Sequence, residues 1–286
     1  MKIFSRSYIF FILFLSPFFL FSQDKPEYAV ANIPDSLMQD VNHVIRDQDK
    51  TLEVLSDSKS LVTYTNATTV FNEKSYRNHV RVTFQPDDGI EYFKVKVYDA
   101  SGHLIKKVKK KELVESVASI SGRSFDNRMM KSYEWVSNNY PFTIEYVYQK
   151  EITGISNAIY DGAWYFAEYD EGVEQSAFTL IISKEKKFYS KLFNTTIIPT
   201  QIEKDDKQII HWTMKNIVPI KSDKEMPAQS KILPILLVTP DKFKMAGIEG
   251  SMATWESYSA FMQKLFDGKD QLPPALEKEI DQLLAH

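Results

Sequence analysis

The chain of 286 residues has no cysteine. A thiol nucleophile, a Cys-ligated zinc or iron–sulfur centre, a redox pair and any disulfide are therefore excluded. Also missing are G-x-S-x-G, the S-x-x-K set, a phosphate-binding P-loop and a dinucleotide fingerprint. No internal repeat, low-complexity tract or Gly/Ser linker interrupts the chain. Charge is nearly balanced, with 35 Lys and Arg against 38 Asp and Glu. That mild acidity argues against nucleic acid as a general partner. What is present, 43% hydrophobic and 13% aromatic residues, suffices for a folded core without staples or metal.

The opening residues have a separate purpose. Lys2 and Arg6 precede an apolar run from Tyr8 to Phe21, and small Ser22 follows. A basic start, an apolar stretch and a short polar exit are the layout of a secretory signal peptide over residues 1–22. The run is shorter than the ~20 residues that cross a bilayer, and Pro17 interrupts it, so an uncleaved anchor is the poorer reading. Export to the periplasm or beyond is expected, with cleavage near Ser22–Gln23 and no stable membrane insertion afterwards. Loss of Lys2 and Arg6 leaves 33 basic against 38 acidic side chains, formally −5.

Hydrophobic spacing organises the remainder. Over residues 23–60, Leu37, Met38, Val41, Val44 and Ile45 follow Pro34-Asp35-Ser36 at helical intervals and predict a helix. From Leu61 the period becomes two. Val80, Val82 and Phe84 alternate with polar residues up to the turn at Gln85–Gly89. Phe93, Val95 and Val97 do the same before Asp99–Gly102, and the two segments read as an antiparallel pair. Phe142 to Tyr148, Val173 to Ile182 and Gln208 to Met214 also suit strands. Ile232 to Val238 does too, with Pro234 pushing it towards an edge or bulge. Lys106–Lys111 reads as an edge strand whose lysines discourage sheet association, with a polyanion site as the functional alternative. Thr254 predicts a helix cap, with Trp255, Tyr258, Met262, Leu265 and Phe266 on one face and Gly268 at the end. Pro274 opens a second helix striped by Leu276, Ile280, Leu283 and Leu284. The fold class expected is all-β, an antiparallel β-sandwich over residues 61–250, with short helices before it and over 251–286.

Candidate chemistry is sparse. The five histidines, at 43, 79, 103, 211 and 286, form no H-x-H or H-E-x-x-H pair and read as packing or surface residues, so no metal and no cofactor are expected. Asp47-Gln-Asp49 fails as a calcium loop, because Leu52 and Ser58 stand where glycine and the bidentate glutamate belong. Asn66-Ala-Thr68 and Asn194-Thr-Thr196 match the glycosylation acceptor pattern. Serine hydrolysis has no motif to recommend it. The most suggestive patch is Asp161, Glu168, Asp170 and Glu171 around Trp164, Tyr165, Phe166 and Tyr169. Two acids ~5–9 Å apart beside aromatic platforms suit a sugar, as a glycan-active enzyme or glycan-binding domain. The plainer reading is a strand over Ala163–Ala167 with its aromatics alternating between core and surface and acids at its turns. The candidate binding residues are Trp164, Tyr165, Tyr169, Asp161, Glu168 and Asp170.

Thr69-Val-Phe71, Val80–Phe84 and Phe93–Ala100 with Gly102 together resemble the opening of the DUF3857 domain. Ser132-Tyr133, Pro141–Tyr148, Gly162–Phe166, Ser176–Leu180 and Ala253-Thr-Trp255 extend that resemblance across residues 40–266. It implies a secreted β-sandwich of the bacterial envelope that usually precedes a transglutaminase-like domain, where a Cys-His-Asp triad performs acyl transfer or amide cleavage. With no cysteine here, no catalytic residue carries over. The resemblance therefore implies a non-catalytic binding or scaffolding module, with an envelope protein, peptide or polysaccharide as partner. The stripe from Leu276 to Leu284 would suit a junction to such a domain.

Overall fold

The computed structural model describes residues 28–85, 88–118, 128–269 and 271–284. The expected signal peptide lies outside them. Sixteen strands are named in chain order. They are β1 His43–Val54, β2 Lys59–Val70, β3 His79–Phe84, β4 Ile90–Tyr98, β5 Leu104–Lys107, β6 Val114–Val117, β7 Met129–Glu134 and β8 Phe142–Thr153, then β9 Trp164–Tyr165, β10 Gly172–Ser183, β11 Phe188–Phe193, β12 Thr200–Lys204, β13 Lys207–Ile217, β14 Ile235–Pro240, β15 Lys242–Met245 and β16 Ile248–Ser251. The helices are α1 Gly154–Ala158, α2 Trp255–Phe266 and α3 Pro274–Leu284.

An eight-stranded sheet, ordered β12-β13-β10-β1-β2-β8-β4-β5, carries the fold. Two three-stranded sheets, β11-β14-β9 and β3-β7-β6, cover one of its faces. The chain is mostly β and sandwich-like. The first cover packs Trp164, Leu236 and Val238 onto Leu52, Val62, Phe178 and Leu180. The second packs Val80 and Tyr133 onto Val70, Val95, Val97, Phe142 and Ile144. These are the apolar positions of strands whose side chains alternate in direction, so each sheet buries one face.

Several expectations need correction. The predicted helix through Leu37, Val41, Val44 and Ile45 is a single 3-10 turn, Asp35–Leu37, followed by β1. The same spacing is satisfied because Val44 and Ile45 open a strand buried on both faces. β3 and β4 do not pair. β3 bonds to β7 in the cover and β4 to β8 in the large sheet, so the two strands belong to different layers. β1 and β10 run parallel, from Val44↔Gly172 to Glu53↔Ile181, while the other ladders are antiparallel. Gly172 meets the N-terminal turn closely: a Cβ there would lie 2.2 Å from the Leu37 carbonyl oxygen. Pro234 precedes β14, which is the middle strand of its sheet and not an edge. Ahead of the strand the missing N–H breaks no ladder, and the Pro234 carbonyl accepts from Phe166 N at 3.0 Å.

Other features match the sequence reading. The lysine-bearing β5 is an edge strand of the large sheet, with Lys106 bound to Glu112 at 2.6 Å. Thr254 caps α2, its Oγ1 accepting from Ser257 N at 3.1 Å. The α2 face packs Tyr258, Met262 and Leu265 as expected, but its buried centre is Phe261, edge-on to Phe243 at 4.8 Å between ring centres, while Trp255 and Phe266 are exposed. Leu276, Leu283 and Leu284 of α3 are exposed.

Candidate functional site

Between the two covers, the inward face of the large sheet turns from aliphatic to aromatic and polar. Pairing places Lys50, Tyr64 and Tyr148 in one row across β1, β2 and β8, and Gln48, Asn66 and Tyr146 in the next. Tyr64 is the centre. Its ring lies 5.3 Å from Tyr148 in a stack, 5.7 Å from Tyr146 and 6.0 Å from Trp164, edge-on. Tyr64 packs against the core beneath the first cover and Tyr146 against that beneath the second. The three tyrosines are half-buried and occupy the stretch of sheet between the two cores, called the trough below. Burial pushes all three phenols up, and the neighbouring rings add to that for Tyr64 and Tyr148.

Two ion clusters accompany these tyrosines. On one side Asp161 holds Lys50 at 3.0 Å and Lys150 at 3.4 Å. Asp161 sits in the turn after α1 with φ 61°, a left-handed conformation that aspartate tolerates better than most residues. Burial alone would raise its carboxyl, but the two lysines outweigh that and leave it below its ordinary value. Lys50 is 5% exposed, and desolvation drives its ammonium down despite Asp161. On the other side Arg77 binds Glu171 at 2.7 Å and Glu168 at 3.1 Å. Glu171 also accepts from the Glu168 N–H at 2.9 Å and meets His43 Nε2 at 3.2 Å. Burial raises its carboxyl, yet His43, Arg77 and that N–H together hold it low.

His43 Nδ1 lies 3.2 Å from Ser75 Oγ, which completes the connectivity Ser75–His43–Glu171. It lacks what a hydrolytic relay needs. The exposures of Ser75, His43 and Glu171 are 6%, 4% and 1%, and Ser75 Oγ also accepts from the Arg77 N–H at 3.2 Å. A nucleophile must reach its substrate. This one instead ties the loop after β2 to the sheet.

The six candidate residues are distributed over the trough and its rim. Trp164 is buried beside Tyr64 and Phe178, and Tyr165 follows it half-buried, its carbonyl accepting from Gln48 at 3.4 Å. Of the expected strand Ala163–Ala167, only Trp164–Tyr165 forms β9. Asp161 and Glu168 belong to opposite ion clusters. Asp170 is bound to Ser222, through its hydroxyl and through its N–H at 3.2 Å, and the Ser222 hydroxyl holds its carboxyl low. Tyr169 forms a bridge to Ile220. Asp161, Glu168 and Asp170 share no partner, whereas Glu168 and Glu171 share Arg77. Lys50, Tyr64, Asn66, Arg77, Tyr146 and Tyr148 complete the trough; the sequence named none of them as a binding residue, Asn66 only as a glycosylation acceptor and Tyr146 and Tyr148 only as strand positions. Both glycosylation acceptor patterns are occupied otherwise: Asn66 is 2% exposed, and Asn194 donates to the Leu233 carbonyl at 2.7 Å. Among the described residues, no group of three or more His, Asp and Glu side chains is placed to hold a metal.

Residues 56–221 match the family model of DUF3857, a domain of unknown function with a solved structure. The match covers more than half of the sequence. The chain belongs to the DUF3857 family. The matched region of this DUF3857 chain includes Tyr64, Arg77, Tyr146, Tyr148 and Trp164, whereas β1, with Lys50 and His43, precedes it. No curated protein matches significantly. Among solved structures, a Parabacteroides distasonis protein provisionally assigned as a protease is 13% identical with a TM-score of 0.58, over 69% of this chain and 40% of its own. At that identity the likeness concerns the fold alone. An M1 zinc metallopeptidase from Deinococcus radiodurans is 10% identical with a TM-score of 0.33, over 78% of this chain and 49% of its own. The DUF3857 chain thus spans less than half of either neighbour's length.

Proposed function

We propose that this chain is an exported, non-catalytic binding module of the cell envelope, accessory to a transglutaminase-like or peptidase-type domain, and that it holds its partner in the tyrosine trough. The basic and then apolar opening of the sequence supports export. One observation carries the non-catalytic reading: the two most buried acids of the patch, Asp161 and Glu171, are spent. Asp161 and Glu171 are held below their ordinary values by cations and hydrogen bonds, whereas a general acid working near neutrality needs its carboxyl raised. Tyr64, Tyr146 and Tyr148 keep partial exposure, and rings of this kind supply contact area at little entropic cost.

Co-sedimentation with isolated envelope polymer, beside capture on immobilised envelope peptides, tests the reading. The wild type is expected to bind one of the two. Tyr148→Ala should weaken that binding about three- to tenfold, the worth of one ring contact, with the circular dichroism spectrum retained. Binding that is equal in wild type and variant, or absent from both fractions, overturns the proposal.

A further inference from the structure

β12 ends the eight-stranded sheet, and its ladder is made on one side only, by β13. All five of its residues are exposed. A free strand edge offers a row of unpaired N–H and C=O groups to any strand that can complete the ladder, and proteins block such edges with lysines, proline or a bulge. The opposite edge of this sheet is blocked: β5 has four residues, and two are Lys106 and Lys107. β12 carries no such device at its centre. It pairs without a bulge from Thr200↔His211 to Lys204↔Lys207, Pro199 stands just ahead of it, and its middle residue is Ile202.

The side chains at this edge specify the occupant. Ile202 lies opposite Ile209 of β13, and Ile209 opposite Ile181 of β10. Their chain neighbours Ile210 and Leu180 point into the first core, so by alternation the isoleucine row is on the face turned away from the covers. Ile181 and Ile209 are half-buried, and Ile202, at 60% exposure, ends the row in water. A second copy of β12 completes both the ladder and the row. Two identical antiparallel strands are related by a two-fold axis normal to the sheet, so one residue faces its own copy. Centred on Ile202, the pairing sets Thr200 opposite Lys204 and Gln201 opposite Glu203, and no like charges are directly opposed. Centring on Glu203 or Lys204 opposes like charges, and centring on Thr200 or Gln201 draws Pro199, which has no N–H, into the ladder.

We propose that two copies of this chain associate edge to edge through β12, antiparallel and centred on Ile202, so that the large sheet continues from one copy into the other. The joint does not depend on what the trough holds. Sedimentation velocity of the purified chain from about 1 µM to about 1 mM tests it and should show a reversible equilibrium between monomer and dimer. Ile202→Lys sets two ammonium groups face to face on the axis and should weaken the dimer about fivefold or more, as should Ile202→Glu. An equimolar mixture of those two variants opposes lysine to glutamate and should recover it. Ile202 is exposed, so both variants should keep the wild-type melting temperature and lose the dimer without losing the fold. Ile105→Lys, at an exposed position of β5, should leave the dimer unchanged. A chain that stays monomeric at about 1 mM, a dimer that withstands Ile202→Lys, or a mixture that stays monomeric overturns the proposal. So does a dimer abolished by Ile105→Lys, which places the joint at the other edge. A monomeric chain whose β12 amides gain protection from hydrogen exchange only when an extended peptide is added makes the edge a peptide site and overturns the second copy.

Discussion

Asp161→Asn is expected to destabilise the fold by about 3–5 kcal/mol, because it leaves the buried Lys50 ammonium without its counter-charge. Lys50 Nζ is 3.0 Å from Asp161 and its side chain is 6% exposed. Lys150 then makes the loss worse, since two like charges would face each other across the emptied site. Denaturant unfolding of Asp161→Asn, and of Asp161→Leu combined with Lys50→Met, measures this. The double variant should recover only part of the stability: it removes the buried pair beside Phe178, but it leaves Lys150 without its partner and puts leucine at a left-handed turn position. A cost below about 1 kcal/mol for the single variant would mean that the pair is screened like a surface ion pair. The surroundings of Lys50 would then be open to water.

Glu171→Gln carries the second large effect, again about 3–5 kcal/mol, since Glu171 joins Arg77, His43 and the Glu168 N–H at one buried carboxylate. It also sets the acid limb of stability. Glu171 and Asp161 have carboxyls lowered in the folded state. A lowered folded value makes the stabilising contribution complete above the unfolded value of about 4, and that contribution disappears as pH falls through the lowered folded value. Thermal melts from neutral pH down to about pH 3 should show a steady midpoint that drops steeply on the acid side. Glu171→Gln should start lower and fall less. Parallel profiles for the two proteins would show that Glu171 titrates normally and that its ion cluster contributes nothing to the acid limb.

What the sequence disclosed follows from where its signals are local. Phe142, Ile144, Tyr146 and Tyr148 recur at every second position of β8, Thr254 and Ser257 lie within one turn, and the lysines of β5 mark an edge. β1 was hidden because its inward positions include Gln48 and Lys50, which break the apolar alternation a strand is recognised by. Its first residues, buried on both faces, imitate a helical stripe. Pairing partners such as β3 with β7, and the parallel β1 and β10, are set by packing between distant segments and leave no mark on spacing. The site divides in the same way. Asp161 and Trp164 announce themselves as an acid beside an aromatic, while Lys50, Tyr64, Arg77 and Tyr148 read as ordinary strand and loop residues until the sheet aligns them. The acids that suggested hydrolysis look different once their cations are known.

The most direct test of retention without chemistry is one NMR titration of protein labelled on its tyrosine rings and tryptophan indoles. Solubilised envelope oligosaccharide is added, and the recovered ligand is weighed by mass spectrometry after prolonged incubation. The account predicts that the signals of Tyr64, Tyr146, Tyr148 and Trp164 move together and that the ligand returns at its starting mass. Fragments of the ligand, or shifts confined to residues outside the trough, would contradict it.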